Sequence, residues 1–311
     1  SLFKQTYTNF EILAINDGST DSSRSILESI SDNRMRIVDN EKNIGLIKTL
    51  NLGIPLSNGK YIVRADADDI CLPMRLEKQV SFMESKPNVG ISGTGFGSFG
   101  TNIPLTELGH FSADHNEIKF RHLYQIHLMH GTSIWKRATF LSNDIQFDPD
   151  FAHAEDYDLF DRLSLVTKLS NIPDVLYHIR LHGNSVSQKY SAVQEKNSVR
   201  IKKRIFKRIG VDITEGELEL FRDFCHHDHI KLKGREPELA DLILKVILGN
   251  RFTGYFPRGF LLTRLKKLWI GLCLANANPE LNLVLQTHPI KQHLPFGIKT
   301  QAKFKLKSLK K

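Results

Sequence analysis

Over its first hundred residues the chain alternates short apolar runs rich in β-formers with amphipathic segments of helical period, and two of those runs end in acids. Residues 10–15 form an apolar run that stops at Asn16-Asp17-Gly18-Ser19, a turn cluster. Thr20 or Asp21 then caps a helix carrying Ile26, Leu27 and Ile30 on one face. Residues 35–38 read as a strand, and Asn43-Ile44-Gly45 opens a helix with Leu46, Ile47, Leu50 and Leu52 as its apolar set. Residues 60–65 are the next strand, ending in Asp66-Ala67-Asp68-Asp69, and Pro73 begins a helix through Leu76, Val80 and Phe82. Residues 89–92 form another strand. Strands separated by helices of roughly ten to fifteen residues predict βαβ units and a mostly parallel sheet flanked by helices, an α/β fold.

In such sheets ligands bind beyond the carboxyl ends of the strands, where both Asn16-Asp17 and the acidic run at 66–69 fall. Three carboxylates at one strand tip repel one another. They become favourable when a divalent cation supplies the opposing charge, and hard oxygen ligands suit Mg²⁺ or Mn²⁺. The bland alternative is a solvated acidic loop.

The rest of the chain continues the pattern and then changes. Residues 94–127, rich in Gly and Phe and then polar, read as an excursion from the sheet; 127–135 return as a strand. A loop at 149–158 runs into a helix with Leu159, Phe160, Leu163 and Leu165, and 175–181 are a final strand. From about residue 191 the signal is helical, over 194–209, 215–226, 238–248 and 260–275. This divides the chain into an α/β part, residues 1–190, and a helical basic part, residues 191–311. No internal repeat is visible, and the Lys-rich last dozen residues are expected to fray.

Charge follows the same division. Residues 1–190 hold 19 Lys and Arg against 23 Asp and Glu, net −4; residues 191–311 hold 24 against 11, net +13. A basic half facing something anionic is the implication. Cys71, Cys225 and Cys273 have no CxxC spacing, which speaks against a disulfide framework or a zinc site and for a reducing compartment. The opening residues carry no secretory signal, and the longest apolar run, 268–275, is far short of the ~18–20 residues that span a bilayer. The expectation is a cytoplasmic protein, with peripheral attachment to the inner face of a membrane as an option. Bulky apolar residues mixed with Arg and Lys over 260–270, Trp269 included, suit an interfacial helix; an amphipathic helix packed in the protein is the competing reading. No nucleic-acid module appears, so no nucleic-acid partner is expected.

The segments that carry acids and turns also occur together in one family. Gln5-Thr6-Tyr7-Thr8-Asn9-Phe10-Glu11-Ile12, Asn16-Asp17-Gly18-Ser19-Thr20-Asp21 and Asn43-Ile44-Gly45-Leu46 come in order, followed by Asp66-Ala67-Asp68-Asp69 and Leu72-Pro73-Met74-Arg75-Leu76-Glu77-Lys78-Gln79. Glu155-Asp156-Tyr157-Asp158-Leu159 and Tyr177-His178-Ile179-Arg180-Leu181-His182-Gly183-Asn184-Ser185 complete the series. Over residues 1–190 the chain resembles a family 2 glycosyltransferase of the GT-A fold, of the bacterial surface-polysaccharide type. The helical basic remainder has no such match.

The resemblance implies sugar transfer from a nucleotide-diphosphate sugar, UDP favoured, to a hydroxyl of a glycan or lipid-linked glycan, with inversion and a Mn²⁺ or Mg²⁺ cofactor. Asp156 is the expected general base, its neighbour Glu155 diverging from it by about 100° on the helix. Asp68 is the expected metal ligand, joined by His182, with His178 as competitor. Asp17, Asp66 and Arg180 are expected on the nucleotide sugar. Arg75 is placed there too, or with Gln79 as a brace of the acidic loop. Glu155 and His130 fall on the acceptor side by resemblance. Each has a plain structural alternative: Asp17 as turn former, Glu155-Asp156 as acids favoured at a helix start, His182 as an ordinary histidine.

Two departures stand out. The family places a strand and turn before the segment containing Gln5, read here as a helix, whereas this chain opens at Ser1 within that segment. Either further residues precede Ser1 or the sheet lacks that strand, which would leave unpaired edges. Asn16 also stands where the family usually has Asp. Two other functions compete: a nucleotidyltransferase, which shares acidic βαβ sites but normally carries a basic Gly-rich phosphate loop, and a catalytically inactive nucleotide-binding or membrane-surface scaffold.

Overall fold

A computed structural model describes residues 1–100, 103–108, 111–182, 189–275, 281, 284 and 286–295. Gly183-Asn184-Ser185 and the Lys-rich last dozen residues lie outside them. The chain forms two compact units: Ser1–Lys119 with Ile126–Ser198, and Phe120–Gln125 with Val199–Lys311.

The first unit is built on eight described strands in two sheets. β1 (Ile12–Asn16) and β2 (Met35–Asp39) pair in parallel as a two-stranded sheet. The second sheet runs β3-β7-β5-β8-β4 with β6 added on β5, from β3 (Tyr61–Val63), β4 (Ile70–Cys71), β5 (Val89–Gly100), β6 (Ile103–Leu108), β7 (Ile134–Lys136) and β8 (Lys168–Leu181). The α/β class and its helical C-terminal region are as expected, but the sheet is mixed. β5 and β8 are parallel, while β3/β7, β5/β7, β5/β6 and β4/β8 are antiparallel. Among the described residues β1 pairs only with β2, and β3 only with β7, so each keeps one open edge.

Three local readings change. Residues 94–100 do not leave the sheet; they extend β5 between β8 and β6. The glycines that read as loop are there for close approach. A Cβ on Gly93 would lie 2.5 Å from Asn171 Oδ1, and one on Gly97 2.9 Å from His178 Cδ2. Residues 127–135 are not one strand: His130–Thr132 is a 3-10 turn ahead of the short β7. There the Thr132 hydroxyl donates to Met129 O and the Ser133 hydroxyl to His130 O, local bonds that compete with a ladder. Gln5-Thr6-Tyr7 is not helical; the 3-10 helix Leu2–Lys4 ends before it. Buried Gln5 instead clamps the chain ahead of the third helix, donating to Leu72 O at 2.9 Å and accepting from Leu76 N at 3.0 Å.

The helices of this unit are α1 (Ser23–Glu28), α2 (Leu46–Leu56), α3 (Arg75–Ser85), α5 (Arg137–Ser142) and α6 (Glu155–Leu163), with α4 (His115–Arg121) and α7 (Ser191–Ile209) running on into the second. Ile91, Trp135, Phe140, Phe147, Leu159, Phe160 and Leu169 form the main core, from β5, β7, β8 and the helices beside them. Each such side chain contributes roughly 1.5–3 kcal/mol on burial.

The second unit is helical: α8 (Glu215–Cys225), α9 (Glu236–Thr253), α10 (Arg258–Ala275) and α11 (Ile290–His293). A capping box between Thr214 and Glu217 starts α8, and Gly254, at φ 66°, ends α9 in the left-handed conformation. Leu261, Leu265, Leu268 and Trp269 are buried in this unit. The interfacial-helix reading of 260–270 is therefore replaced by that of a packed helix, because the apolar side chains that would enter a membrane already have protein around them. Among the described residues no helix is long and apolar enough to cross a membrane.

Asn250 closes the α9–α10 turn, its amide donating to Phe256 O at 3.0 Å and accepting from Phe256 N at 2.7 Å, all buried. Asn250→Ala strands both backbone groups. It is expected to lower unfolding free energy by about 2–4 kcal/mol in urea titration of the full chain.

Candidate active site

The acidic run leaves β3 and is held by the ends of β8 and by the turn before β7. Asp66 N–H donates to the Tyr177 hydroxyl at 2.9 Å, and Arg64 grips the Asp66 carboxylate through both terminal nitrogens. The Arg64 side chain is only 12% exposed, whereas that of Asp66 is 38% exposed, so the guanidinium is shielded and the carboxylate still meets water. Arg180 N–H donates to Asp69 Oδ1 at 2.7 Å, its Nε donates to Asp68 O at 2.9 Å, and its guanidinium lies 4.6 Å from the centre of the Phe99 ring. His182 Nε2 is 3.2 Å from Asp68 Oδ2, with both side chains close to half exposed. Burial, reinforced by the charges of Asp66 and Asp68, pushes the Asp69 carboxyl above the usual range.

The expected metal residues Asp68 and His182 are thus brought together, although they are 114 positions apart in sequence. Among the described residues no group of three or more His, Cys, Asp or Glu is arranged as a complete metal cage. A carboxylate and an imidazole that stay accessible fit a cation whose other positions go to phosphate oxygens and water. His178 is the poorer candidate. It is set in the sheet opposite Gly97 and Ile70, and its buried Nε2 has no partner among the described residues.

Asp156 opens α6 beside buried Glu155. Burial, with the Glu155 charge adding to it, lifts the Asp156 carboxyl to about 7, against the pull of the Tyr157 N–H and the Arg64 charge. Arg64 thus connects the acidic loop to α6: it pairs with Asp66 and acts electrostatically on Asp156. His130 is buried and stacked on Trp135 with ring centres 5.8 Å apart, and burial together with Arg64 holds it well below its ordinary value. Its imidazole is neutral.

Asp17 and Arg75 are both engaged within the protein. Asp17 ties the β1 end to the start of α2, accepting from Ile44 N, Gly45 N and Asn40 Nδ2, each at 2.9 Å. Burial opposes its ionisation, but those donors outweigh it and keep the carboxyl below the usual range. Arg75 is fully buried, so it braces the loop from beneath instead of reaching a ligand. It donates to Arg64 O and Gly131 O at 2.8 Å each and to Gln79 Oε1 at 3.2 Å. The sequence reading gave no role to Arg64 or Tyr177. An arginine two residues before an acid cluster is the one local signal that pointed to either of them.

Known proteins agree with this architecture. Residues 1–151 match the model for glycosyl transferase family 2. An uncharacterized glycosyltransferase of Haemophilus influenzae is 34% identical over 227 residues, covering 68% of this chain and 70% of that one. The amylovoran biosynthesis glycosyltransferase AmsE of Erwinia amylovora is 32% identical over 195 residues, covering 61% and 71%. Among solved structures, S. aureus TarS in complex with UDP superposes with a TM-score of 0.53 at 19% identity, over 88% of this chain and 84% of that one. At that identity the likeness speaks to the fold, which is the GT-A fold. With an acidic loop at a strand tip, a carboxylate pair opening α6 and relatives of this closeness, the chain belongs to glycosyltransferase family 2 and is a glycosyltransferase.

Proposed function

We propose that this glycosyltransferase moves a sugar from a nucleotide-diphosphate sugar, a UDP-sugar in preference, to a hydroxyl of a glycan or lipid-linked glycan in cell-surface polysaccharide synthesis, with inversion and with a divalent cation. The observation that carries the reading is the pairing of Arg64 with Asp66 within electrostatic reach of Asp156, which links the acidic loop and a proton acceptor in one site. AmsE, a relative named for amylovoran biosynthesis, supports the choice of product class.

In this reading the acceptor hydroxyl loses its proton to the Asp156 carboxylate as its oxygen bonds the anomeric carbon. The anomeric carbon–oxygen bond to the diphosphate breaks on the opposite face, so one displacement inverts the configuration. A carboxyl lifted to about 7 is a better matched base near neutrality than an ordinary aspartate. Asp68 and His182 would hold Mn²⁺ or Mg²⁺, which offsets negative charge on the departing diphosphate. Asp66 and Arg180 face the nucleotide sugar; Glu155 and His130 border the acceptor side. Asp17, already engaged by the start of α2, shapes the nucleotide side through that turn.

A membrane surface as partner rests on other residues than 260–270. From 242 to 275 the chain holds six basic residues and no acid, and Phe252, 87% exposed, lies beside Arg251. Binding to anionic vesicles is expected in flotation at low salt, weakened by Phe252→Ala and abolished near 0.5 M salt, where the Debye length falls to about 4 Å. Salt-insensitive binding, or none, removes this partner.

Calorimetry with UDP, GDP and dTDP, with and without Mn²⁺, tests the donor. Mn²⁺ is expected to tighten UDP at least about tenfold, and Asp68→Ala to remove that gain. UDP binding without turnover of any UDP-sugar would favour the inactive-scaffold alternative.

Asp156→Asn is expected to keep nucleotide binding while lowering turnover by about 10²–10⁴. In the wild type kcat/KM should rise with pH through about 7 as the base ionises. Stability moves the other way. The folded carboxyl binds its proton more tightly than the unfolded one (~3.9), so folding free energy is lost as pH climbs from about 4 to about 7. Thermal melts of Asp156→Asn should lack that decline.

A further inference from the structure

The acidic loop is carried by a buried strut that has no role in the chemistry above. Tyr177 lies on β8 opposite Cys71 of β4, fully buried, and its hydroxyl reaches two parts of the loop. It accepts the Asp66 N–H at 2.9 Å and lies close enough to the Asp69 carboxylate to pull its proton affinity down. Its ring rests on the Arg75 guanidinium, whose carbon is 4.5 Å from the ring centre. Arg75 is itself pinned by Arg64 O and Gly131 O, one carbonyl from the strand that leads into the loop and one from the turn before β7. Gly131 completes the fit. A Cβ there would lie 3.0 Å from Tyr177 Cε1 and 3.1 Å from Asp66 Oδ2.

We propose that Tyr177, seated on Arg75 and passed closely by Gly131, is the positioning residue that sets the acidic loop for the cation and the donor diphosphate. Arg64 grips the Asp66 side chain and Arg180 holds Asp68 O and Asp69, while Tyr177 fixes the backbone where the acidic run begins. The phenol oxygen holds Asp66 N and sits beside Asp69, and Asp68 between them lies 3.2 Å from His182. Burial and the adjoining carboxylates push the Tyr177 phenol far above its ordinary range. The group therefore keeps its proton at any working pH. A buried cation under the ring offsets part of the repulsion among three carboxylates without occupying any of their oxygens, leaving those of Asp68 accessible.

The proposal rests on the metal and donor reading above, and the test separates the two. Tyr177→Phe keeps the ring on Arg75 and removes the hydroxyl. Gly131→Ala keeps the hydroxyl and crowds Asp66. In calorimetry of the whole chain with UDP and Mn²⁺, both variants are expected to bind the Mn²⁺–UDP pair about tenfold more weakly, the scale of one lost buried hydrogen bond. The donor KM should rise by a similar factor. Turnover at saturating donor should stay within about threefold, and the rise of kcat/KM through about 7 should be unchanged, because Asp156 is untouched. A residue that only supports the fold would lower the melting temperature and leave the Mn²⁺–UDP affinity of the folded fraction alone. Wild-type affinity in Tyr177→Phe overturns the proposal; should that variant not fold, wild-type affinity in Gly131→Ala does so. Absence of Mn²⁺-dependent UDP binding in the wild type overturns the donor reading, and this one with it.

Discussion

Three carboxylates within four residues can share one strand tip only if each has its own source of positive potential. Here Asp66 has the shielded guanidinium of Arg64, Asp69 has the Arg180 N–H, and Asp68 has the imidazole of His182. The partners come from β8 and from the residues just after β3 and β8, so the geometry of the acids is a consequence of how the six-stranded sheet is assembled. Asp68 has the weakest and most solvent-accessible partner of the three. It is the carboxylate best able to accept a cation, because the least has to be given up.

The same sheet explains why α6 matters. Phe160, Leu159 and Leu163 bury that helix against the core that also holds Trp135 and Phe147, which fixes where its first turn ends up. Glu155 and Asp156 sit in that turn, where a helix dipole favours negative charge. Desolvation and mutual repulsion nevertheless win for Asp156 and push its proton affinity upward. Arg64, acting on both Asp66 and Asp156, makes the loop and the helix one electrostatic unit.

Much of this was legible from residue patterns. The runs ending at Asn16-Asp17 and at Asp66 are strands with acids at their carboxyl ends, and the helices opening near Leu46, Arg75 and Glu155 start where apolar periodicity begins. Asp68 lies beside His182, and Asp156 beside Glu155 in the first turn of α6. The misreadings share a cause. Glycines at 93 and 97 look like a loop in sequence, but they are packing surface for Asn171 and His178 on a neighbouring strand. Arg75, read as a nucleotide-sugar ligand or as a brace of the acidic loop, takes the bracing place, with two distant carbonyls and a ring as partners. The apolar and basic mixture at 260–270 looks like a membrane helix until its leucines are found inside the second unit.

By itself the sequence determined the class of fold, the order of its elements, the location of the acids at strand ends and the division into an acidic front and a basic back. Those are properties of local periodicity, turn chemistry and charge, which depend on neighbours a few residues away. Only the tertiary structure decided the mixed direction of the sheet, the burial of Arg75, the hold of the Tyr177 hydroxyl on the Asp66 N–H and the raised proton affinity of Asp156. Each depends on desolvation and on contacts across tens of positions to more than a hundred, such as the 111 between Asp66 and Tyr177, and no local pattern encodes which distant group closes over a charge.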